Sequence, residues 1–425
     1  MDAAVEPAAT YYASVLPPAA VHPVLSGETD ADVAVVGGGI AGISTALHLA
    51  RRGIRAVVIE AQSVGSGASG RNGGQVLAGF SAGLDGIVRR NGMAAARALW
   101  AESVAAVELV RSLAGPQCDL QNGAVTVAIK PRHLSSFHEE ARWLEGEFGY
   151  QGLEIWDKEV TRSIVRSPKY CGGLFDAAAL HLNPLAFVRH LAELATAAGA
   201  ALYEGSAVLR IDTEGPVKKI MTARGSVTAR HVVLAANASL NGLHPWAARR
   251  IMPVASSVIA TEPLPPEKLH DCLTRPLAVC DANIVLDYFR PTGDGRLVFG
   301  GLANYSGRPP ANVAGVLGAR LRSVFPQLAD VRISHGWSGM IDISLNREPL
   351  IGEISPGVHL AQGFSGHGVA LAARAGERIA AAIGGDTAAY QPYLPLARPV
   401  FPGGPLRTAA LVLGMAWLRL KDRFA

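Results

Sequence analysis

Gly37, Gly39 and Gly42, followed 18 residues later by Glu60, form a pattern suited to holding a dinucleotide. Gly37 makes a tight turn, Gly39 lets the backbone approach a phosphate, and Gly42 lets a helix pack on the strand before it. A helix that starts there, with Ile40 and Ala41 in its first turn, offers free N–H groups and a partial positive charge to an anion. Glu60 can accept hydrogen bonds from both ribose hydroxyls and would repel a phosphorylated ribose. That combination favours FAD or NAD over NADP. Without a ligand, the same residues would form a plain glycine-rich turn between a strand and a helix.

Two further glycine-rich stretches exceed what NAD needs. The first carries Gly65, Gly67, Gly70, Gly73, Gly74 and Gly79, with Arg71, Asn72 and Gln75 among them. Such a loop can lay backbone amides close to a ligand, or simply be flexible. The second is Gly363-Phe364-Ser365-Gly366-His367-Gly368-Val369. It can aim a helix N-terminus at a pyrimidine carbonyl, where a positive end stabilises the anion of a reduced flavin.

The elements that must position these residues are legible from periodicity. Asp32–Val36 is nearly all apolar, as in a strand buried on both faces. Ala41–Arg52 has helical spacing, with Ile43, Ala46, Leu47 and Ala50 on one face and Gly53 as the C-terminal cap. Arg55–Glu60 supplies the next strand and closes a βαβ unit. Helices are predicted at Ala94–Leu113, Leu134–Phe148 and Pro184–Ala198, and strands at Gly123–Ile129, Ala201–Ile211 and Ser226–Ala235. From Pro253 the texture becomes that of an antiparallel sheet. Its strands are predicted at Val254–Thr261, Asn283–Arg290, Arg296–Gly301 and Val331–Ser338, with one helix over Val313–Phe325. His359–Gln362 then leads through the second glycine turn into a helix that runs to Ile383. Pro7, Pro17, Pro18 and Pro23 predict an extended arm over 7–28 with no helix. The tail Thr408–Phe424 is apolar first and basic later. It is too short to span a bilayer, and packing on the protein, an oligomer contact and a membrane surface all stay open for it.

Composition narrows the class. A chain of 425 residues, 49% hydrophobic and 17% charged, has room for two or three packed domains and is not a disordered one. Its net charge of +4 is small and its basic residues are scattered, which gives nucleic-acid binding no support. Cys118, Cys171, Cys272 and Cys280 lie far apart, so neither a disulfide framework nor a zinc site is expected, and no metal is assigned. Acidic residues and a proline stand where a signal peptide needs basic residues and an apolar run. With no stretch of about 18 apolar residues, the expected location is the cytoplasm.

The stretch Asp32–Gly42, the loop Ser69-Gly70-Arg71-Asn72-Gly73-Gly74-Gln75, Leu286-Asp287-Tyr288-Phe289-Arg290, Gly363-Phe364-Ser365-Gly366-His367-Gly368 and Phe401-Pro402-Gly403-Gly404 carry a family resemblance. The Tyr11-Tyr12 arm and the Trp417, Asp422 and Arg423 tail match as well. Over essentially its whole length the chain resembles the FAD-dependent amine and amino-acid oxidoreductases of the D-amino-acid oxidase, glycine oxidase and sarcosine oxidase superfamily. Within it, gamma-glutamylputrescine oxidase-type enzymes are the most similar.

The resemblance implies an α/β fold, with a Rossmann-type, glutathione-reductase-like FAD-binding domain and a second, antiparallel-sheet substrate domain. The expected boundaries are an arm at 1–28, a discontinuous FAD-binding domain at 29–85, 150–250 and 335–390, a substrate or cap domain at 86–149 and 251–334, and a tail helix at 391–425. FAD would contact Gly37, Gly39, Ile40, Ala41, Gly42, Glu60, Ala61, Ala68, Ser69, Arg71, Asn72, Gly73, Gly74, Gln75, Val208, Ala236 and Gly363 through Val369. No cysteine lies within Met340–Ile351, where some relatives attach flavin covalently, so FAD is expected to be non-covalent. The implied reaction oxidises a small-molecule amine to an imine, which hydrolyses to an aldehyde or keto product.

The departures from the family's pattern are informative. Sarcosine-oxidase-like members hold a substrate carboxylate with a lysine two positions after the G-F-S-G-H-G motif, and here that residue is Ala370. Their basic residue after the ribose acid aligns with Gly74, although Arg71 is close by. A longer amine therefore fits better than a small α-amino acid. Those members also activate oxygen with a strand lysine, and Arg296–Gly301 has none. Oxygen, a quinone and an electron-transfer protein all remain open as acceptor, and so does a flavin-bearing protein that binds an amine without turnover. Candidate substrate-side residues are Tyr288, Arg290, Trp337 and His367. Tyr288 and Trp337 could equally be core, Arg290 a surface pair or a carboxylate anchor, and His367 a support for loop geometry or a base.

Overall fold

The computed structural model describes residues 9–240, 242–283 and 286–404. Two sheets organise it. The first has eight strands, with Gly27–Val36 hydrogen-bonded in parallel to Ala56–Ile59 on one side and Gly225–Leu234 on the other. Val358–Gln362 and Ala201–Tyr203 extend it in parallel, and Leu350–Ser355 closes one edge antiparallel. The other two strands, Val208–Asp212 and Lys218–Thr222, form an antiparallel hairpin beside Gly225–Leu234.

Strand Gly27–Val36 is central because both of its faces are covered. Val33 and Val35 pack with the helices Ile40–Ala50, Pro184–Ala197 and Gly368–Ile383, while Ala34 and Val36 pack into a separate apolar cluster on the opposite face. Each fully buried valine contributes about 1.5–3 kcal/mol. Helix Gly368–Ile383 crosses Ile40–Ala50 at close range. A Cβ on Gly376 would lie 2.6 Å from Thr45 N and 2.7 Å from Ala41 O.

The second sheet has nine strands. In order they are Ile333–Ser344, Ile251–Thr261, Leu297–Asn304, Tyr288–Pro291, Ala278–Asp281, Gln121–Ala128, Gly172–His181 and Gln75–Val76, with Leu153–Trp156 paired to Gly172–His181. Its pairs are antiparallel except Ala278–Asp281 with Gln121–Ala128, which run parallel. Helix Val313–Val324 covers one face through Leu317, Leu321 and Val324.

Several expectations change. The strands at 153–156, 172–181 and 333–344, which the boundaries 150–250 and 335–390 would give wholly or mostly to the dinucleotide unit, are hydrogen-bonded into the second sheet. Strand pairing is a long-range choice that local pattern does not carry. The arm is not wholly extended, because Tyr11–Val15 is a short helix capped by Thr10 Oγ1, which accepts from Ala13 N at 3.1 Å. Pro17 follows that helix and bounds it rather than preventing it. The helix expected at Ala94–Leu113 is present, and a further helical segment from Leu84 precedes it across a break at Gly92, where φ is +83°. The span Ala201–Ile211 is split into two strands. Tail residues Thr408–Phe424 lie outside the described residues. Among the described residues no helix is long and apolar enough to cross a membrane. All four cysteines are free, and burial pushes the thiols of Cys118 and Cys280 up to about 11 and that of Cys272 up to about 12.

Candidate cofactor and substrate site

The first glycine turn sits between the strand ending at Val36 and the helix starting at Ile40. Gly37 has φ +112°, and a Cβ there would stand 2.6 Å from Ala235 O. A Cβ on Gly42 would stand 2.0 Å from Gly37 O, so helix and turn meet backbone to backbone. Ser69 Oγ accepts from Ile40 N at 2.9 Å, which brings the second glycine-rich loop onto the helix start. Glu60 Oε2 accepts from Gly38 N at 2.6 Å and Oε1 from Gln62 N at 2.9 Å. Burial pushes its carboxyl above the usual range, and those backbone donors oppose the shift. Each oxygen keeps a further lone pair for a hydroxyl. Ala61 follows directly and is exposed. Ser206 N donates to Glu60 O at 2.8 Å, which sets the segment before Val208 beside this acid. The Cα of Ala236 would be 3.1 Å from a Cβ on Gly37.

The Ala68–Gln75 loop is tied to itself. Asn72 Nδ2 donates to Ala68 O at 3.0 Å and Ser69 O at 2.9 Å, while its Oδ1 accepts from Gly74 N at 2.8 Å. Arg71 Nε donates to Ser66 O at 2.8 Å and Nη1 to Ser338 O at 3.1 Å, and burial lowers its pKa. Trp337 and Arg290, each 1% exposed, stand behind this loop. Trp337 Nε1 donates to Arg71 O at 2.9 Å, and Arg290 Nε to Gly73 O at 2.7 Å. Arg290 is therefore a buried brace for this loop and not the surface pair that the sequence allowed. Tyr12 completes the backing, with its hydroxyl 2.8 Å from Asn72 O and its ring 5.4 Å from that of Trp337. Tyr288 reaches the open side, its ring wedged where Cβ atoms on Gly73 and Gly300 would come within 2.4 Å and 2.1 Å.

The later turn is built differently. Gly363, Ser365 and Gly366 have φ of +76°, +56° and +88°. Asp342 Oδ2 accepts from Gly363 N at 2.6 Å, Ser365 N donates to Asp342 O at 3.0 Å, and Ser344 N donates to Ser365 Oγ at 3.1 Å. Burial pushes the Asp342 carboxyl up to about 6 against the backbone N–H groups of Gly363, Asp342 and Phe364. His367 Nε2 lies 3.2 Å from Ala78 O and acts as donor there, while burial lowers the ring's pKa and keeps it neutral.

A cavity of about 1120 Å³ opens between these two loops and the second sheet. Its wall takes in Ala68, Arg71, Asn72, Gly73, Gln75, Tyr288 and Ser365 through Ala370. The cavity exceeds the roughly 300–1,000 Å³ usual for a small-molecule site. Trp100, Trp143, Tyr150, Asp85, Glu139, Glu140 and Arg347 also line it. Tyr150 Oη is 2.9 Å from both Asp176 oxygens and donates to that carboxylate. None of these further residues stood out in the sequence, because none belongs to a glycine motif. The helix pattern of Leu134–Phe148 was the one available signal, since Trp143 lies off its apolar stripe. Among the described residues no group of His, Cys, Asp and Glu is arranged to hold a metal ion.

Residues 32–382 match the family described as FAD dependent oxidoreductase. The chain belongs to this family. It is 36% identical over 423 residues to gamma-glutamylputrescine oxidoreductase of Escherichia coli, covering 98% of this chain and 99% of that one. It is 35% identical over 410 residues to the probable oxidoreductase OrdL of Haemophilus influenzae, covering 95% and 94%. Among solved structures, glycine oxidase from Geobacillus kaustophilus superposes with a TM-score of 0.69 at 22% identity, over 83% of this chain and 94% of that one. L-proline dehydrogenase from P. horikoshii gives 0.69 at 22%, over 85% and 94%. Those likenesses establish the fold. As an FAD-dependent oxidoreductase the chain uses FAD, and its residues fit that group: a cradle a Cβ would fill at Gly37 and Gly39, a helix start, and an acid beside it.

Proposed function

We propose that this flavoenzyme oxidises a C–N bond of gamma-glutamylputrescine or a similar N-substituted amine to an imine that hydrolyses to an aldehyde. Gly37, Gly39, Ile40, Ala41 and Gly42 would hold the pyrophosphate and Glu60 the ribose, with Ala61, Val208 and Ala236 around the adenosine end. Ala68 through Gln75 and Gly363 through Val369 would frame the flavin ring. Bound FAD supplies the two-electron oxidation. Attachment is non-covalent in this reading, because Met340–Ile351 has no cysteine and Cys280, which lines the cavity, is held as a thiol.

The protein's own work is positioning. Tyr288, fixed between Gly73 and Gly300, walls the reacting end of the cavity. His367 donates through Nε2 to Ala78 O and supports the turn rather than serving as a base. Burial disfavours a charged amine at the reacting end, so the neutral amine is the reactive form. The observation that carries the substrate class is the cavity itself. Part of it would hold the flavin ring, and in its wall Ala370 leaves the position two residues beyond the glycine motif without a cation for an α-carboxylate. The name of the Escherichia coli relative supports the same choice.

Oxygen, reduced to hydrogen peroxide, is the proposed acceptor, and the cytoplasm the proposed location. Strand Leu297–Asn304 contains no lysine, and that favours a second reading in which electrons pass to a quinone or an electron-transfer protein. Anaerobic mixing with a panel of amines tests both. Gamma-glutamylputrescine should bleach the flavin, and air should restore the colour rapidly. Bleaching without recolouring would favour the dehydrogenase, and no bleaching by any amine would sink the proposal.

A further inference from the structure

Arg347 occupies the turn between Ile333–Ser344 and Leu350–Ser355, with φ at +59°. Glycine or asparagine suits that backbone, and a long branched cation does not. The turn is held on both sides of it. Ser344 Oγ donates to Glu348 O at 2.6 Å, and Arg347 N donates to Ser344 O at 3.1 Å. The Glu348 side chain is fully buried and takes Arg90 Nε at 2.7 Å and Asn91 Nδ2 at 3.1 Å from helix Leu84–Leu113. All of this is done by Ser344, Glu348 and the backbone. The Arg347 guanidinium has no hydrogen bond or ion pair among the described residues, yet it lines the same cavity as Tyr288 and His367. A cation at a strained backbone position, facing a cavity and without a protein partner among the described residues, points to a ligand.

We infer that Arg347 anchors a carboxylate at the substrate's far end, remote from the amine that is oxidised. Asp85 and Glu140 line the same cavity and suit the ammonium that accompanies such a carboxylate. The chemistry recognised is thus the zwitterionic head of an amino acid joined through its side chain to the amine. The inference rests on the proposed amine oxidation and adds the group that selects among amines. A guanidinium and a carboxylate form a charge-assisted, two-point contact that lysine reproduces only as a point charge.

The test uses the FAD-loaded enzyme and two ligands that lack the terminal putrescine amine: gamma-glutamyl-n-butylamide and its decarboxylated counterpart, 4-aminobutyryl-n-butylamide. Binding is read from the change in flavin absorbance. A hydrogen bond between charged groups corresponds to roughly 10- to 100-fold in affinity. Arg347→Gly should weaken the carboxylate ligand by about that factor and leave the decarboxylated one unchanged, with Arg347→Lys in between. Glycine also relaxes the left-handed backbone, so Tm should hold or rise while binding is lost. Equal affinity in wild type and variant, equal loss of both ligands, or no binding of the carboxylate ligand by wild type would each overturn the inference. Arg347-dependent binding without bleaching by gamma-glutamylputrescine would instead leave the anchor standing and remove the proposed reaction.

Discussion

The two strand–glycine–helix turns share a shape but not a cause. At Gly37–Gly42 the glycines are dictated by backbone, since added Cβ atoms would meet Ala235 O at 2.6 Å and Gly37 O at 2.0 Å. At Gly363–Gly368 a Cβ on Gly366 would find Ile341 Cδ1 at an ordinary 3.6 Å. There the turn is held by side chains, with Asp342 accepting from Gly363 N and Ser365 from Ser344 N. The first turn is a steric object that tolerates almost nothing. The second is an assembled one, held by side-chain bonds as well as by left-handed glycines, and it is the one that borders the substrate cavity.

That difference can be broken from either side. The largest effect belongs to Gly42→Ala, which has no side chain to displace and must push apart helix and turn. It should destabilise the fold by more than about 4 kcal/mol, in the exceptional range for one substitution. The purified protein should be colourless, and denaturant unfolding should show the loss. Next comes Glu102→Ala, which attacks the helix following the second turn. Glu102 is buried and receives Arg374 Nε at 2.9 Å and Arg378 Nε at 2.9 Å, which ties Gly368–Ile383 to Leu84–Leu113. Removing one partner of such a buried cluster costs about 3–5 kcal/mol. Thermal unfolding should report that loss, while flavin stays bound at low temperature because the first turn is intact.

The smallest effect, and the most discriminating, is Asp342→Asn. A folded-state pKa of about 6, above the unfolded 3.8, means the native state prefers the protonated acid. Stability from that preference is present below about pH 4 and is lost as pH rises through 6. Asparagine keeps an oxygen for Gly363 N and has no charge to bury. The variant should match wild type near pH 4 and exceed it at pH 8 by about 1–3 kcal/mol. A difference in Tm that does not change with pH would show that the turn does not depend on this carboxylate.

The same contrast explains what sequence could and could not tell. The first turn was readable because its constraint is local: a glycine every few residues, an apolar strand before and an acid after. The helix Pro184–Ala197 and the strand Gly225–Leu234 emerged for similar reasons, from period and from proline at a helix start. Trp337 was readable as core, but its bond to the loop, and the burial of Arg290 behind it, were not, because both depend on the loop at 71–73 packing against strands more than 200 residues later. Gly376 drew no notice in an alanine-rich helix, since nothing in that helix reveals that another helix passes within contact of its backbone. Asp342 and Arg347 sit in a stretch without period, and their meaning depends on φ angles and buried partners that no spacing encodes.

The buried thiols bear on how long such a catalyst lasts. With oxygen as acceptor, every turnover would release hydrogen peroxide, and Cys280 lines the cavity where it forms. Peroxide attacks the thiolate, not the thiol. With pKa values near 11 for Cys118 and Cys280 and near 12 for Cys272, roughly one molecule in a thousand or fewer carries the vulnerable anion at any of these sites near pH 8. Burial that was selected for packing would thus also slow oxidative wear by the enzyme's own product.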